Sequence, residues 1–167
     1  MPSTLTNRHH TSQALRFKNA AGIYMAIGRT TAWSNEASPP DPSASATAVE
    51  EVVCYAPPAQ ITLVKIDAGG AIDHLGTNYT AVADGDAYTE GANQVYVKCE
   101  FPYTQAPLCT FRQIGLYLGL VKEQGAGSGI LLPADVDSPG ILEALDNRTP
   151  TVRAADKKDV EAMLFSF

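Results

Sequence analysis

Gln94–Phe101 reads QVYVKCEF, a run of period two in which Val95, Val97 and Cys99 share one face and Tyr96, Lys98 and Glu100 the other. That spacing is incompatible with a helix, and a strand must find partners, because its backbone N–H and C=O groups cannot be buried unpaired. Related runs rich in β-branched and aromatic residues occur at Gly22–Arg29, Ile61–Ile66 and Thr110–Val121, the last long enough to bend at Gly115 or Gly119. A final pair follows at Thr151–Ala154 and Val160–Phe167. These segments predict a mainly β chain built from antiparallel strands, sandwich-like, with one or two short helices and long ordered loops.

Between the strands, Thr6–Ala20 has a helical pattern anchored by Ala14, Leu15 and Phe17, so residues 1–21 read as a helical or extended N-terminal arm. Thr31–Ala46 is rich in Pro, Ser, Asn and Asp and reads as a long ordered loop. Thr47–Tyr55 fits a short helix, with Thr47 as cap, Glu50 three residues on, an apolar face of Val49, Val52 and Val53, and Pro57-Pro58 as its stop. Ala68-Gly69-Gly70 is a turn. Residues 73–91 hold four acids, three glycines and two tyrosines, which predicts an acidic irregular loop with a weak strand near Tyr79–Ala83. The 167 residues are expected to form one domain with a core large enough to need no staples.

Composition narrows the function. A net charge of −6 disfavours sequence-independent nucleic-acid binding and docking on anionic lipid. No apolar run approaches the roughly 18 residues of a membrane span, and Met1–His10 lacks the apolar core of an export signal. Charged residues are 18%, below the roughly one quarter typical of soluble domains. Either the surface is rich in uncharged polar groups or part of it is covered by partners. Cys54, Cys99 and Cys109 form no CxxC, and buried free thiols in a reducing compartment suit them better than a disulfide framework or a zinc site.

No catalytic constellation is apparent. His9-His10 lies in a polar stretch, and His74 beside Asp73 has no nucleophile in a recognisable context. Asp84-Gly85-Asp86 lacks the ligand pattern of a calcium loop. Gly125–Gly129 has no Lys-Ser or Lys-Thr after it and is not a phosphate loop. No enzyme activity, cofactor or metal is expected.

The segment Ile23–Pro42 runs from an apolar strand into a turn that carries the sole tryptophan, Trp33, then Glu36 and the prolines Pro39, Pro40 and Pro42. Tryptophan dominates binding energy at interfaces, and proline lowers the entropy lost when a loop is immobilised. Trp33 is either a core ring that pins the loop or a contact for a partner. Arg29 and Arg112 are either ordinary surface residues or braces, and Arg29 is positioned to brace the Trp33 loop through its carbonyls or Glu36. Phe111 and Ile114 fall on opposite faces of one strand, so both are buried only if that strand is central or bulged. Val160–Phe167 must close its own sheet or add to a neighbour's.

Three segments taken in order carry a resemblance: Ile27–Glu36 with Pro39-Pro40-Asp41-Pro42; Phe111-Arg112-Gln113-Ile114; and Leu145–Val152 together with Met163–Phe167. The chain resembles the baseplate wedge protein of contractile-tailed bacteriophages, the gene-product-eight type of large myoviruses. The large-phage protein is longer and has an inserted β domain where about seventy residues stand here. The resemblance implies a structural subunit of the virion tail, made in the host cytoplasm and present in several copies around a six-fold baseplate, with dimerisation left open. Its implied partners are other wedge proteins, with sheath, sheath initiator and fibre-attachment proteins as further candidates, and neither nucleic acid nor membrane. The candidate interface and loop-anchoring residues are Arg29, Trp33, Glu36, Pro39, Pro40, Phe111, Arg112, Arg148, Phe165 and Phe167. The alternative is a carbohydrate- or receptor-binding sandwich at a fibre or tail tip, for which Tyr79, Tyr88, Asp84 and Asp86 are the candidate contacts.

Overall fold

A computed structural model describes residues 3–167. In chain order the elements are α1 (Asn7–Lys18), β1 (Tyr24–Gly28), β2 (Cys54–Ala56), β3 (Pro58–Ile66), β4 (Ile72–His74), β5 (Thr77–Val82), α2 (Ala87–Glu90), β6 (Gln94–Phe101), β7 (Thr110–Leu118), β8 (Val121–Lys122), β9 (Val136–Ser138), β10 (Ile141–Val152) and β11 (Asp159–Ser166). The architecture is mainly β and antiparallel with short helices, as the period-two runs predict. It divides into two compact units. One comprises the residues up to Ala20, Ala59–Lys98 and Glu161–Phe167; the other comprises Ala21–Pro58 and Cys99–Val160.

The first unit is built on the five-stranded sheet β11-β6-β3-β5-β4. Its helix α1 starts where Thr6 accepts a hydrogen bond from the His9 N–H at 3.3 Å, a standard N-cap. Arg16 and Lys18 lie in the last turn, where the helix dipole favours cations. Thr11, Ala14 and Phe17 form the buried stripe. Phe17 meets Phe165 and Phe167 with ring centroids 4.6 and 5.2 Å apart. Val64, Tyr79 and Tyr96 make a second cluster with Ile72, Ala162 and Leu164 packed against it. The stretch 73–91 is more regular than its composition predicts. β4 and β5 form a hairpin with Ile72 opposite Tyr79 and His74 opposite Thr77, and a 3-10 turn at Asp84–Asp86 leads into α2. Val160–Phe167 closes its own sheet, since β11 is an edge strand paired with β6.

The second unit carries the sheet β10-β7-β1-β2. β7 lies between β1 and β10, which explains why Phe111 and Ile114 are both buried despite pointing to opposite faces. Ala26, Val49, Tyr55, Tyr117, Leu120 and Leu131 form a core cluster beneath it. The predicted helix at 47–55 does not form. Glu51 takes a left-handed backbone, φ +45°, which a helix cannot accommodate. Cys54–Ala56 instead joins the sheet, with Met25 opposite Ala56 and Ile27 opposite Cys54. Pro58 accordingly opens a strand rather than closing a helix. β10 begins at Ile141, ten residues before the predicted strand. It carries irregularities between Leu142 and Ala144 and between Asn147 and Thr151, so the Asn-Arg-Thr-Pro step is absorbed as a bulge. All three cysteines are free; Cys54 and Cys99 are buried, and burial pushes both thiols up to about 12.

Candidate functional site

The loop after β1 is built from its first residue. Arg29 has φ +50°, which turns the chain sharply out of the strand, and its N–H donates to the Glu50 carbonyl at 2.5 Å. Gly28 admits no side chain, because a Cβ there would run into the Glu50 carbonyl and the Val49 side chain. Glu51 then receives four donors. The Thr30 and Thr31 N–H groups reach its Oε2 at 2.8 Å each, and the two hydroxyls donate at 2.7 and 2.5 Å. These bonds, the Thr31 hydroxyl first and then the Thr30 hydroxyl, hold the Glu51 carboxyl at about 2, far below its ordinary 4.5.

Arg112, buried on β7, supplies the next tie. Its Nε donates to both Glu36 oxygens at 2.9 Å, Nη2 donates to Oε1 at 2.6 Å, and Nη1 donates to the Thr30 carbonyl at 2.6 Å. The bonds from Arg112 lower the Glu36 carboxyl and raise the Arg112 guanidinium. The fork matches a carboxylate in two-point geometry, which fixes orientation as well as distance. The brace on Glu36 is therefore Arg112. Arg29, predicted for that role, is directed elsewhere by its left-handed backbone: it pairs with Glu50 and lies 3.8 Å from the centroid of the Trp33 ring.

Trp33 is 8% exposed, and its Nε1 donates to the Arg148 carbonyl at 3.0 Å. The ring thus packs inward and pins the loop to β10. Arg148 itself holds Asp146 at 2.7 Å. Gln113 completes the lattice: its Oε1 accepts from the Glu50 N–H at 2.8 Å and its Nε2 donates to Asn147 at 2.9 Å. Asn147 in turn donates to the Pro40 carbonyl at 2.9 Å, tethering the proline cluster. Pro39 is half-buried and Pro40 exposed.

Eight of the ten candidate residues lie in this unit: Arg29, Trp33, Glu36, Pro39, Pro40, Phe111, Arg112 and Arg148. Phe111 sits in the core beside Arg112. Phe165 and Phe167 belong to the other unit, against Phe17. Sequence reasoning missed Glu50, Glu51, Gln113, Asp146 and Asn147. The one available signal was a pair of polar residues, Arg112-Gln113, inside an otherwise apolar strand. Of the alternative contacts, Tyr79 is buried, Asp84 pairs with Lys18 at 2.8 Å, and Tyr88 shares a hydrogen bond with Ser12.

The braces spend their hydrogen-bonding capacity inward and leave Thr31, Ala32, Ser34, Asn35, Ala37, Ser38 and Pro40–Ala44 facing outward. A shallow cavity of about 220 Å³ lies between the loop's Pro42–Ala46 stretch and Leu142–Leu145 of β10. Among the described residues no group of three or more His, Cys, Asp or Glu could hold a metal ion. The fold and site define a β scaffold that ties an irregular, weakly charged loop at several points along its length. Residues 2–167 match the family described as baseplate wedge 3 tail fiber network component, and the chain belongs to that family. Virion protein 3 of Enterococcus phage phiEF24C is 35% identical over 158 residues, which cover 90% of this chain and 87% of the phage protein. The chain is a structural component of a phage virion, placed in the tail baseplate among other baseplate proteins. No helix among the described residues is long and apolar enough to cross a membrane.

Proposed function

We propose that this subunit holds a neighbouring wedge or fibre-network protein of a contractile tail against the baseplate through the loop at residues 29–46, without catalysing a reaction. One observation carries the reading: a loop with no strand or helix of its own is tied at Thr30, Thr31, Trp33, Glu36 and Pro40 by side chains or carbonyls of the sheet and the 49–51 turn. A loop ordered before binding loses little entropy when a partner covers it. Sheath, sheath initiator and fibre-attachment proteins are the candidate neighbours, arranged with the six-fold repeat of a baseplate.

The test is Glu36→Ala, which removes the Arg112 fork and the bond from the Trp33 backbone, freeing the middle of the loop, and leaves the Glu51 ties in place. The variant is expected to keep its far-UV circular dichroism and to enter purified tails about tenfold less than wild type, the effect of a lost anchor worth one decade of affinity. Wild-type incorporation would refute the loop as the docking surface. Immunogold against the chain is expected to mark the baseplate; label at fibre tips would favour a receptor-binding role.

A further inference from the structure

The β4–β5 hairpin closes on two residues, Leu75 and Gly76, flanked by the facing pair His74 and Thr77. Both loop residues have positive φ, +52° at Leu75 and +80° at Gly76, the conformation of a type I′ turn. Gly76 is an expected occupant of such a turn. Leu75 is not: asparagine, aspartate or glycine takes the left-handed position at lower cost than a branched aliphatic side chain. Leu75 is also 92% exposed, the largest value among the exposed large hydrophobic residues. A residue that burdens the backbone and meets water on nearly its whole surface contributes nothing to the fold that asparagine would not provide better. Strain kept at an exposed apolar tip marks a site whose benefit lies outside the isolated subunit.

The surroundings indicate the partner's chemistry. The hairpin Ile72–Val82 carries one acidic side chain, Asp73, and no Lys or Arg; Asp73 stands two residues before Leu75 and is exposed. The tip is thus an aliphatic knob with a negative shoulder. A second copy of this chain is a poor receptor, since it carries a net charge of −6 and its shallow cavity beside β10 is lined by Glu143. We infer that Leu75 is an assembly knob that inserts into an apolar socket with a basic rim on a different virion subunit, a contact separate from the 29–46 loop. This rests on the reading of the chain as a docking subunit of the baseplate. Desolvated aliphatic anchors in such sockets provide affinity, and the charged rim provides orientation and rate.

The decisive variant is Leu75→Asn. It suits the left-handed backbone, so the purified variant is expected to melt no lower than wild type. When it complements a phage bearing a stop codon in this gene, infectious titre is expected to fall by about tenfold or more, with Leu75→Met retaining titre. A titre within about twofold of wild type overturns the knob. A diazirine-bearing aliphatic amino acid at position 75 of the full-length protein gives a second readout, independent of stability. Illuminated virions are expected to yield a cross-link to another tail protein, at apolar residues flanked by Lys or Arg. A cross-link to a second copy, to a site without basic residues, or to nothing overturns the inference. If the wild-type chain is absent from purified tails, the docking reading itself fails; if it is present and Leu75→Asn complements fully, only the knob fails.

Discussion

Glu51 ties four donors to one carboxylate, and that arrangement has a pH signature. Its carboxyl is held at about 2 against an ordinary 4.5. A lowered folded-state value contributes stability that is complete above pH 4.5 and is lost as pH falls from there through about 2. Glu36 shifts in the same direction. Melting temperature followed by calorimetry from pH 6 down is therefore expected to fall more steeply below pH 4.5 in wild type than in Glu51→Gln; parallel curves would remove Glu51 as the cause. Arg153 is a second residue whose role is visible only in three dimensions. Its side chain is fully buried, with Nη1 donating to Asp159 at 2.6 Å and to the Phe101 carbonyl at 3.1 Å, and Nε donating to the Pro107 carbonyl at 3.0 Å. Arg153→Ala leaves a carboxylate and the carbonyls of the 101–107 turn without their donor. Denaturant titration is expected to show a loss of about 3–5 kcal/mol, the range for breaking a buried ion pair.

Among the elements, β7 is the one on which the second unit is organised. Gly115 lets it approach β10 and the 49–51 turn together, since a Cβ there would meet the Leu142 side chain at 2.7 Å and collide with Val49. Gly115→Ala is expected to cost about 1–3 kcal/mol in chemical denaturation, the usual penalty for overpacking a closed site. β6 and β7 were legible because alternation or β-branched density marks a strand whatever surrounds it. The 47–55 stretch was not. Its valines, spaced i, i+3, i+4, serve a helix face or a turn entering a strand equally well, and the left-handed Glu51 is tied through its carboxylate to Thr30 and Thr31, twenty and more positions away. The part of β10 before Thr151 escaped notice because Asn147-Arg148-Thr149-Pro150 carries local turn chemistry that pairing with β7 overrides. The candidate site was half legible for the same reason. Trp33, Glu36 and the prolines announced a loop, but the choice of Arg112 over Arg29 as its clamp depends on strand order, which no local pattern encodes.

At the scale of the whole molecule, both units are assembled from discontinuous stretches of chain, and the first draws on three. Residues 161–167 give it the outer part of an edge strand and two rings against Phe17. Phe167 also exchanges hydrogen bonds with Asn93, its N–H donating to the Asn93 carbonyl at 3.0 Å and its carbonyl accepting from Nδ2 at 2.9 Å. Removing residues 163–167 is expected to abolish the cooperative unfolding transition of this unit, read by amide NMR dispersion; a spectrum that overlays the intact protein away from the cut would contradict it. Phe17 in the first of these stretches packs on Phe165 and Phe167 in the last, so a long loop of chain is closed by three rings. Closing it costs conformational entropy that the ring contacts offset only when both stretches are present, which couples the folding of α1 to that of β11.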